Sequence, residues 1–201
     1  MSYHHSKLVI RITVLGDKGV GKTSLVKSYL GKTCGEDYAL IDTAYTCDAV
    51  IEGANVTQQI LDSDGKNSAV TAWAHGVIIV YAANKRESFE KARELIETTK
   101  SITMKNATIM LVANKVDLPE RKVSLEEGQK LATHSNCNYI ELSTLQNDGA
   151  MKSVFYSLSH EIIEKRGLRY KHHSGTPQRV RRVFQALTHY RDKRRSYTSY
   201  I

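Results

Sequence analysis

Two segments of this 201-residue chain carry side chains whose types and spacing suit phosphate and base chemistry. The first is Gly16-Asp17-Lys18-Gly19-Val20-Gly21-Lys22-Thr23, followed by Ser24. Its glycines let the backbone wrap closely enough for successive N–H groups to point at phosphate oxygens, and a helix opening there adds its dipole. Lys22 would reach the β- and γ-phosphates, and the Thr23 hydroxyl would ligate Mg²⁺. The second is Asn114-Lys115-Val116-Asp117, followed by Leu118. A carboxylate at Asp117 would accept both the guanine N1–H and its 2-amino group, a paired contact that adenine cannot make. Asn114 would bond the ring edge while tying loops together, and the Lys115 stem would pack on the base. Ser143-Thr144 would add a backbone N–H to the guanine oxygen. Between these motifs lies Asp62-Ser63-Asp64-Gly65. Asp62 is placed to hold Mg²⁺ through water, and the Gly65 N–H to meet a γ-phosphate.

Such residues act only if strands and helices deliver them to one edge. Leu8–Leu15 is an apolar, β-branched run that reads as a buried strand ending at Gly16. Lys22–Leu30 reads as a helix stopping at Gly31. Tyr45–Ile51 and Val56–Leu61 flank Glu52-Gly53-Ala54-Asn55 as a hairpin. Gly76–Ala82 and Thr108–Ala113 are continuous apolar strands of the kind a doubly covered parallel sheet needs. Glu87–Lys100 has helical periodicity, and Ser124-Leu125-Glu126-Glu127 is a capping box opening a helix to His134. Tyr139–Leu142 reads as the last strand and Gly149–Arg166 as the last helix. The alternation predicts a doubly wound α/β fold of the P-loop NTPase class. Its sheet would be six-stranded and mostly parallel, with one hairpin-paired antiparallel strand and helices on both faces.

The composition, 41% hydrophobic and 25% charged, is that of a globular domain. The net charge of +8 is concentrated at one end: residues 165–201 hold eleven Lys/Arg against Asp192, leaving 18 basic and 20 acidic residues before them. The basic character therefore belongs to the tail, and no specific nucleic-acid signal is present. Met1-Ser-Tyr-His-His-Ser-Lys has no apolar signal region, and Ser2 excludes N-myristoylation. A cytoplasmic protein is the expectation, with Cys34, Cys47 and Cys137 as reduced thiols. His4-His5 and His172-His173 receive no role.

From about Leu8 to Arg166 the chain resembles the Ras superfamily of small GTPases. The carriers are the phosphate loop, Asp62-x-x-Gly65, Asn114-Lys115-x-Asp117 and Glu141-Leu142-Ser143-Thr144-Leu145, the last departing from the family box at Thr144 and Leu145. The tail has no prenylation cysteine and looks like that of the unprenylated branch with the RERG and RASL proteins. The resemblance implies a GTP/GDP cycle with Mg²⁺, effector proteins, and exchange and activating factors. It divides the chain into an extension at 1–7, a GTP-binding domain at 8–166 and a basic tail at 167–201.

The departures cluster where hydrolysis and switching take place. Lys66 stands at the position of the catalytic glutamine, and lysine cannot accept a hydrogen bond from an attacking water. Asp64 replaces an alanine and Lys18 a glycine of the phosphate loop. All three point to slow or absent hydrolysis, despite Lys22. The Mg²⁺-binding threonine of switch I falls on Leu40. Thr43 is the nearest hydroxyl downstream and serves only if the loop shifts; Thr33 is the nearest upstream. Only eleven residues separate Gly65 from Val77, fewer than a Ras-type switch II uses.

Thr176-Pro177 opens a segment, 177–195, in which Val180, Val183, Phe184, Leu187 and Tyr190 form a stripe among Arg179, Arg181, Arg182 and Arg191. This basic amphipathic helix suits an anionic membrane surface, the inner face of the plasma membrane, or a calmodulin-like groove; a solvated basic tail remains the alternative. Ser199-Tyr200-Ile201 fits a PDZ groove by strand addition. Two readings stay open: a GTP-binding signalling protein with weak hydrolysis, and a pseudo-GTPase locked in one state. A P-loop kinase would leave Asn114-Lys115-x-Asp117 unexplained.

Overall fold

The computed structural model describes residues 8–33, 39–41, 44–103, 106–146 and 149–167. Thr43, Cys34, the extension at 1–7, the segment 177–195 and Ser199-Tyr200-Ile201 lie outside them. The elements run β1 (Leu8–Gly16), α1 (Lys22–Thr33), β2 (Ala39–Ile41), β3 (Ala44–Ile51), β4 (Ala54–Asp62) and α2 (Ser68–Trp73). They continue with β5 (Gly76–Ala82), α3 (Arg86–Ile102), β6 (Thr108–Asn114), α4 (Leu125–His134), β7 (Asn138–Glu141) and α5 (Ala150–Lys165). The compact unit that carries the site takes in 1–51 and 55–169; of the other, residues 52–54 are among those described.

The strands form one sheet in the order β2-β3-β4-β1-β5-β6-β7. β1 pairs in parallel with both β4 and β5, β5 with β6, and β6 with β7. The six strands read from the sequence are all present. A seventh, the three-residue β2, adds antiparallel to the outer edge of β3, which periodicity in so short a run could not reveal. β3 and β4 are neighbours joined by Glu52-Gly53. Both turn residues have positive φ, 49° and 81°, the geometry that closes a two-residue hairpin with the sheet's own twist.

β5 and β6 are buried along their whole length, which explains their unbroken apolar sequences. On one face Val77, Ile79 and Tyr81 of β5 pack with Leu111 and Ala113 of β6 beneath Phe89, Ala92, Leu95 and Ile96 of α3. On the other, Gly76 lets α5 approach: a Cβ there would lie 2.6 Å from Ile162 Cδ1 and 3.1 Å from Leu158. Tyr29 of α1 stacks on Phe155 of α5 with ring centroids 4.0 Å apart. Its hydroxyl donates to Gln58 Oε1, and Gln58 donates onward to Ser159 Oγ at 2.8 Å, a buried chain holding α1, β4 and α5 together.

Element ends depart from the sequence reading in small, explicable ways. α1 runs past Gly31 to Thr33, since a single exposed glycine costs a helix only about 1 kcal/mol. The short segment after Gly65 still makes a six-residue helix, α2, capped by Asn67 Oδ1 accepting from Ala69 N at 3.0 Å. The Ser124–Glu127 capping box forms with both of its bonds. Cys137 is a free thiol whose burial pushes its pKa up to about 11. Cys47 corrects the expectation of reduced thiols: it is disulfide-bonded, because chain folding and not sequence spacing decides which sulfurs meet. No helix among the described residues is long and apolar enough to cross a membrane.

Candidate nucleotide-binding site

β1 lies at the centre of the sheet, where the chain winds first to one side and then to the other. In such a fold, ligands bind at the carboxyl ends of the strands beside that reversal. The phosphate loop occupies that place, running from Gly16 to the start of α1 at Lys22. Lys22 Nζ folds back and donates to Gly16 O and Asp17 O, both at 2.9 Å, leaving its third hydrogen for a ligand. The first turn of α1 holds no acid to compete for its N–H groups. Asp17 has its carboxylate filled: Oδ1 accepts from Lys18 N at 2.8 Å and Oδ2 from Lys85 Nζ at 2.7 Å. The bond from Lys85, then that from Lys18 N, holds this carboxyl below the usual range.

Two side chains at the end of β6, Asn114 and Lys115, tie the turn that follows it to the phosphate loop. Asn114, fully buried at the end of β6, donates from Nδ2 to Val20 O at 2.8 Å and to Thr144 Oγ1 at 3.4 Å. Its Oδ1 accepts from Thr144 N at 3.1 Å. Gly21 makes that approach feasible: its φ is +98°, and a Cβ there would sit 2.2 Å from Asn114 Nδ2. Lys115, held in the left-handed region at φ 63°, spans the cleft and donates from Nζ to Gly19 O at 2.7 Å. A non-glycine residue kept there is the kind of local strain that collects at functional sites. Asp117 and Leu118 are exposed on the following turn, and buried Ser143 accepts from Leu145 N at 3.2 Å.

Gly19, Gly21, Lys22, Thr23, Ser24, Lys115, Asp117, Leu118, Ser143 and Thr144 line one cleft of about 460 Å³, large enough for a small ligand. Gly16, Asp17, Lys18 and Val20 lie in the adjoining loop, where Val20 is buried and acts through its carbonyl. At the phosphate end, Thr23 Oγ1 donates directly to Asp62 Oδ2. A hydroxyl and a carboxylate in contact fit a hard divalent cation bound partly through water. Among the described residues no group of three or more His, Cys, Asp or Glu could hold a metal. Mg²⁺ would therefore take its remaining ligands from phosphates and water, as it does at nucleotide sites.

The segment after Asp62 is bonded to itself. Gly65 N donates to Ser63 Oγ at 3.2 Å, and Lys66 N to Asp64 Oδ1 at 3.1 Å. Lys66 Nζ lies 3.2 Å from Asp64 Oδ2, with the lysine side chain 89% exposed. These contacts lower the Asp64 pKa, the Lys66 N–H first. Three contributors escaped the sequence reading. Leu145, 84% exposed, lines the cleft beside Thr144 and could have been suspected from that adjacency. Ser63 lay within a motif already noted. Lys85 had no local signal, being 68 residues from the aspartate it binds.

A central β1, a glycine loop opening α1, and the Asn114–Asp117 turn after β6 define a fold of the P-loop NTPase class. A family model described as "Ras family" matches residues 11–164. The "Ras-related and estrogen-regulated growth inhibitor" of Homo sapiens is 34% identical over 165 residues, covering 78% of this chain and 83% of that protein. The "Ras-like protein family member 11B" of Danio rerio is 32% identical over 174 residues, covering 79% and 71%. The "Ras-related protein Rab-18" of Caenorhabditis elegans is 33% identical over 170 residues, covering 77% and 80%. The chain belongs to the Ras family, on the branch of the first two relatives.

Proposed function

We propose that this chain is a guanine-nucleotide-binding signalling protein that takes GTP or GDP with Mg²⁺ and hydrolyses GTP very slowly. The observation that carries the binding half is the tie through Asn114, which joins the loops for base and phosphate into one rigid cleft. Asp117 is then the reader of guanine, and Leu118 and the Lys115 stem flank the base. Thr23 directly, and Asp62 through water, would hold Mg²⁺, which would supply positive charge to the phosphate oxygens. Lys22 directs its remaining N–H to the same oxygens.

The slow rate follows from the segment after Asp62. The Gly65 N–H is shared with Ser63 Oγ, and Lys66 is directed to Asp64 instead of presenting an acceptor to water. That self-contained turn also supports the second reading, a pseudo-GTPase held in one state that acts as an interaction module. The two separate in a single-turnover assay that identifies the copurified nucleotide and follows its γ-phosphate for hours. The first reading expects hydrolysis below the roughly 10⁻⁴ s⁻¹ of a typical Ras protein, the second none. A rate at or above that figure refutes both, and Lys66→Gln alone should restore little while Asp64 and Lys18 remain.

Effectors, exchange factors and activating factors are the partner classes of this reading. Segment 177–195 supplies weak, salt-sensitive attachment to the anionic inner face of the plasma membrane or to a calmodulin-like groove, and Ser199-Tyr200-Ile201 a PDZ ligand. The protein is cytoplasmic and membrane-peripheral in this scheme.

A further inference from the structure

We propose that Lys85 is a positioning residue for the nucleotide's phosphates, acting by neutralising Asp17. The inference rests on reading the cleft as a guanine-nucleotide site.

Asp17 puts a carboxylate of the ligand's own sign into the loop that must receive polyphosphate. Its backbone carbonyl accepts from Lys22 Nζ at 2.9 Å, so it adjoins the amine that meets the phosphates. Its side chain accepts at both oxygens, from Lys18 N and from Lys85 Nζ. Only the second of these partners carries a full charge, so Lys85 is the hydrogen-bonded cation that offsets the acid, with Lys22 adding to it through space. It also holds the loop toward the start of α3.

The backbone under Lys85 is fixed for this task. Lys85 N donates to Ala82 O at 3.0 Å, and Lys85 O accepts from Ser88 Oγ at 2.6 Å and from Ser88 N at 3.2 Å. Ser88 is fully buried and its Oγ also accepts from Ala82 N at 3.0 Å, pinning the α3 start to the end of β5. The competing acid Glu87 acts on Lys85 only through space, whereas Asp17 is hydrogen-bonded to it. Asp17 and Lys85 are 33% and 45% exposed, so their pairing is open to salt. Removing the cation leaves an uncompensated carboxylate on the phosphate loop. Coulomb's law at a surface-like dielectric makes that worth roughly tenfold in affinity for a diphosphate.

The test uses the full chain with Mg²⁺ and measures Kd for GDP and for GMP at low and high salt, with urea unfolding alongside. Lys85→Met keeps the aliphatic stem and removes the charge. It should weaken GDP about tenfold, GMP clearly less, and the loss should shrink at high salt. Lys85→Arg should stay within about twofold of wild type, and Asp17→Asn with Lys85→Met should recover most of the loss. Equal weakening of GDP and GMP, or no recovery in the double variant, would make Lys85 a purely structural contact and overturn the proposal. Wild-type GDP affinity in Lys85→Met would overturn it as well. Failure of the wild-type chain to bind any guanine nucleotide would instead sink the reading of the cleft, and this pairing with it.

Discussion

Replacing Asn114 with alanine removes a side chain that bonds both the phosphate loop, at Val20, and the loop after β7, at Thr144. Two good hydrogen bonds disappear, to Val20 O at 2.8 Å and from Thr144 N at 3.1 Å, together with a long one to Thr144 Oγ1 at 3.4 Å. A net value of about 1 kcal/mol for each good bond is the starting figure. Since Asn114 is fully buried, the truncation also leaves a void and abandons a carbonyl and an N–H. Those raise the expected loss to about 3 kcal/mol. Urea unfolding with nucleotide absent, and again at fixed excess GDP, measures it; the slope m should stay constant while the midpoint falls. In a thermal scan the same loss corresponds to roughly 6–12 °C for a chain of this size. The nucleotide should also leave faster, because Gly21 and Thr144 lose their common anchor. A stability loss under about 1 kcal/mol would mean that water replaces the amide at little cost. The loops would then not be held by this residue, and the rigid-cleft argument would be wrong.

Asp117→Asn should weaken GTP and GDP and admit xanthine nucleotides, because an amide presents an amine toward the xanthine carbonyl; unchanged GTP affinity in a competition assay would remove Asp117 as the base reader. His75 supplies a pH test. Its pKa is depressed to about 4, first by burial and then by Arg166 and Arg11, so the unfolded chain, near 6.5, binds the proton more readily. Stability is therefore lost as pH falls from 6.5 toward 4, by under about 1 kcal/mol once the ring's exposure to solvent is discounted. The wild-type minus His75→Gln difference in urea midpoint should shrink from pH 7.5 to 4.5, and a constant difference would contradict the assignment. Segment 177–195 should gain helix by circular dichroism on vesicles rich in anionic lipid and release with added salt. Equal helix content with and without vesicles would point to docking on protein.

The legible parts of this molecule are those written in contiguous residues. β5 and β6 could be drawn because burial on both faces forces every residue to be apolar, and the capping box at Ser124 because its two bonds span only three residues. The phosphate loop and the Asp117 turn were readable for the same reason. β2 was not, because three residues carry no period and gain their pairing from β3. Lys85 was not, because its meaning depends on Asp17 being brought to it by the parallel pairing of β1 with β5. Gly21 stands between the two cases. Its type was visible in the motif, but the reason no side chain fits there is Asn114, which arrives from β6.

Under the proposed function, the distribution of lysines would let nucleotide binding coexist with slow hydrolysis. Lys22, Lys66, Lys85 and Lys115 each give at least one donor to an acceptor of the protein itself. For Lys22, Lys85 and Lys115 those acceptors belong to the phosphate loop, so their bonds stiffen the cradle and preserve ground-state affinity. Lys66 is different, because its acceptor, Asp64, lies on the segment that would have to order an attacking water. Catalysis depends on interactions made more strongly in the transition state than in the bound state. A cation already satisfied by its neighbour two residues away, with no lone pair to offer water, adds nothing there. In the proposed reading the substitutions thus separate the two functions of the site by geometry: the lysines that grip the loop serve nucleotide binding, and Lys66, bonded to Asp64, does not serve hydrolysis.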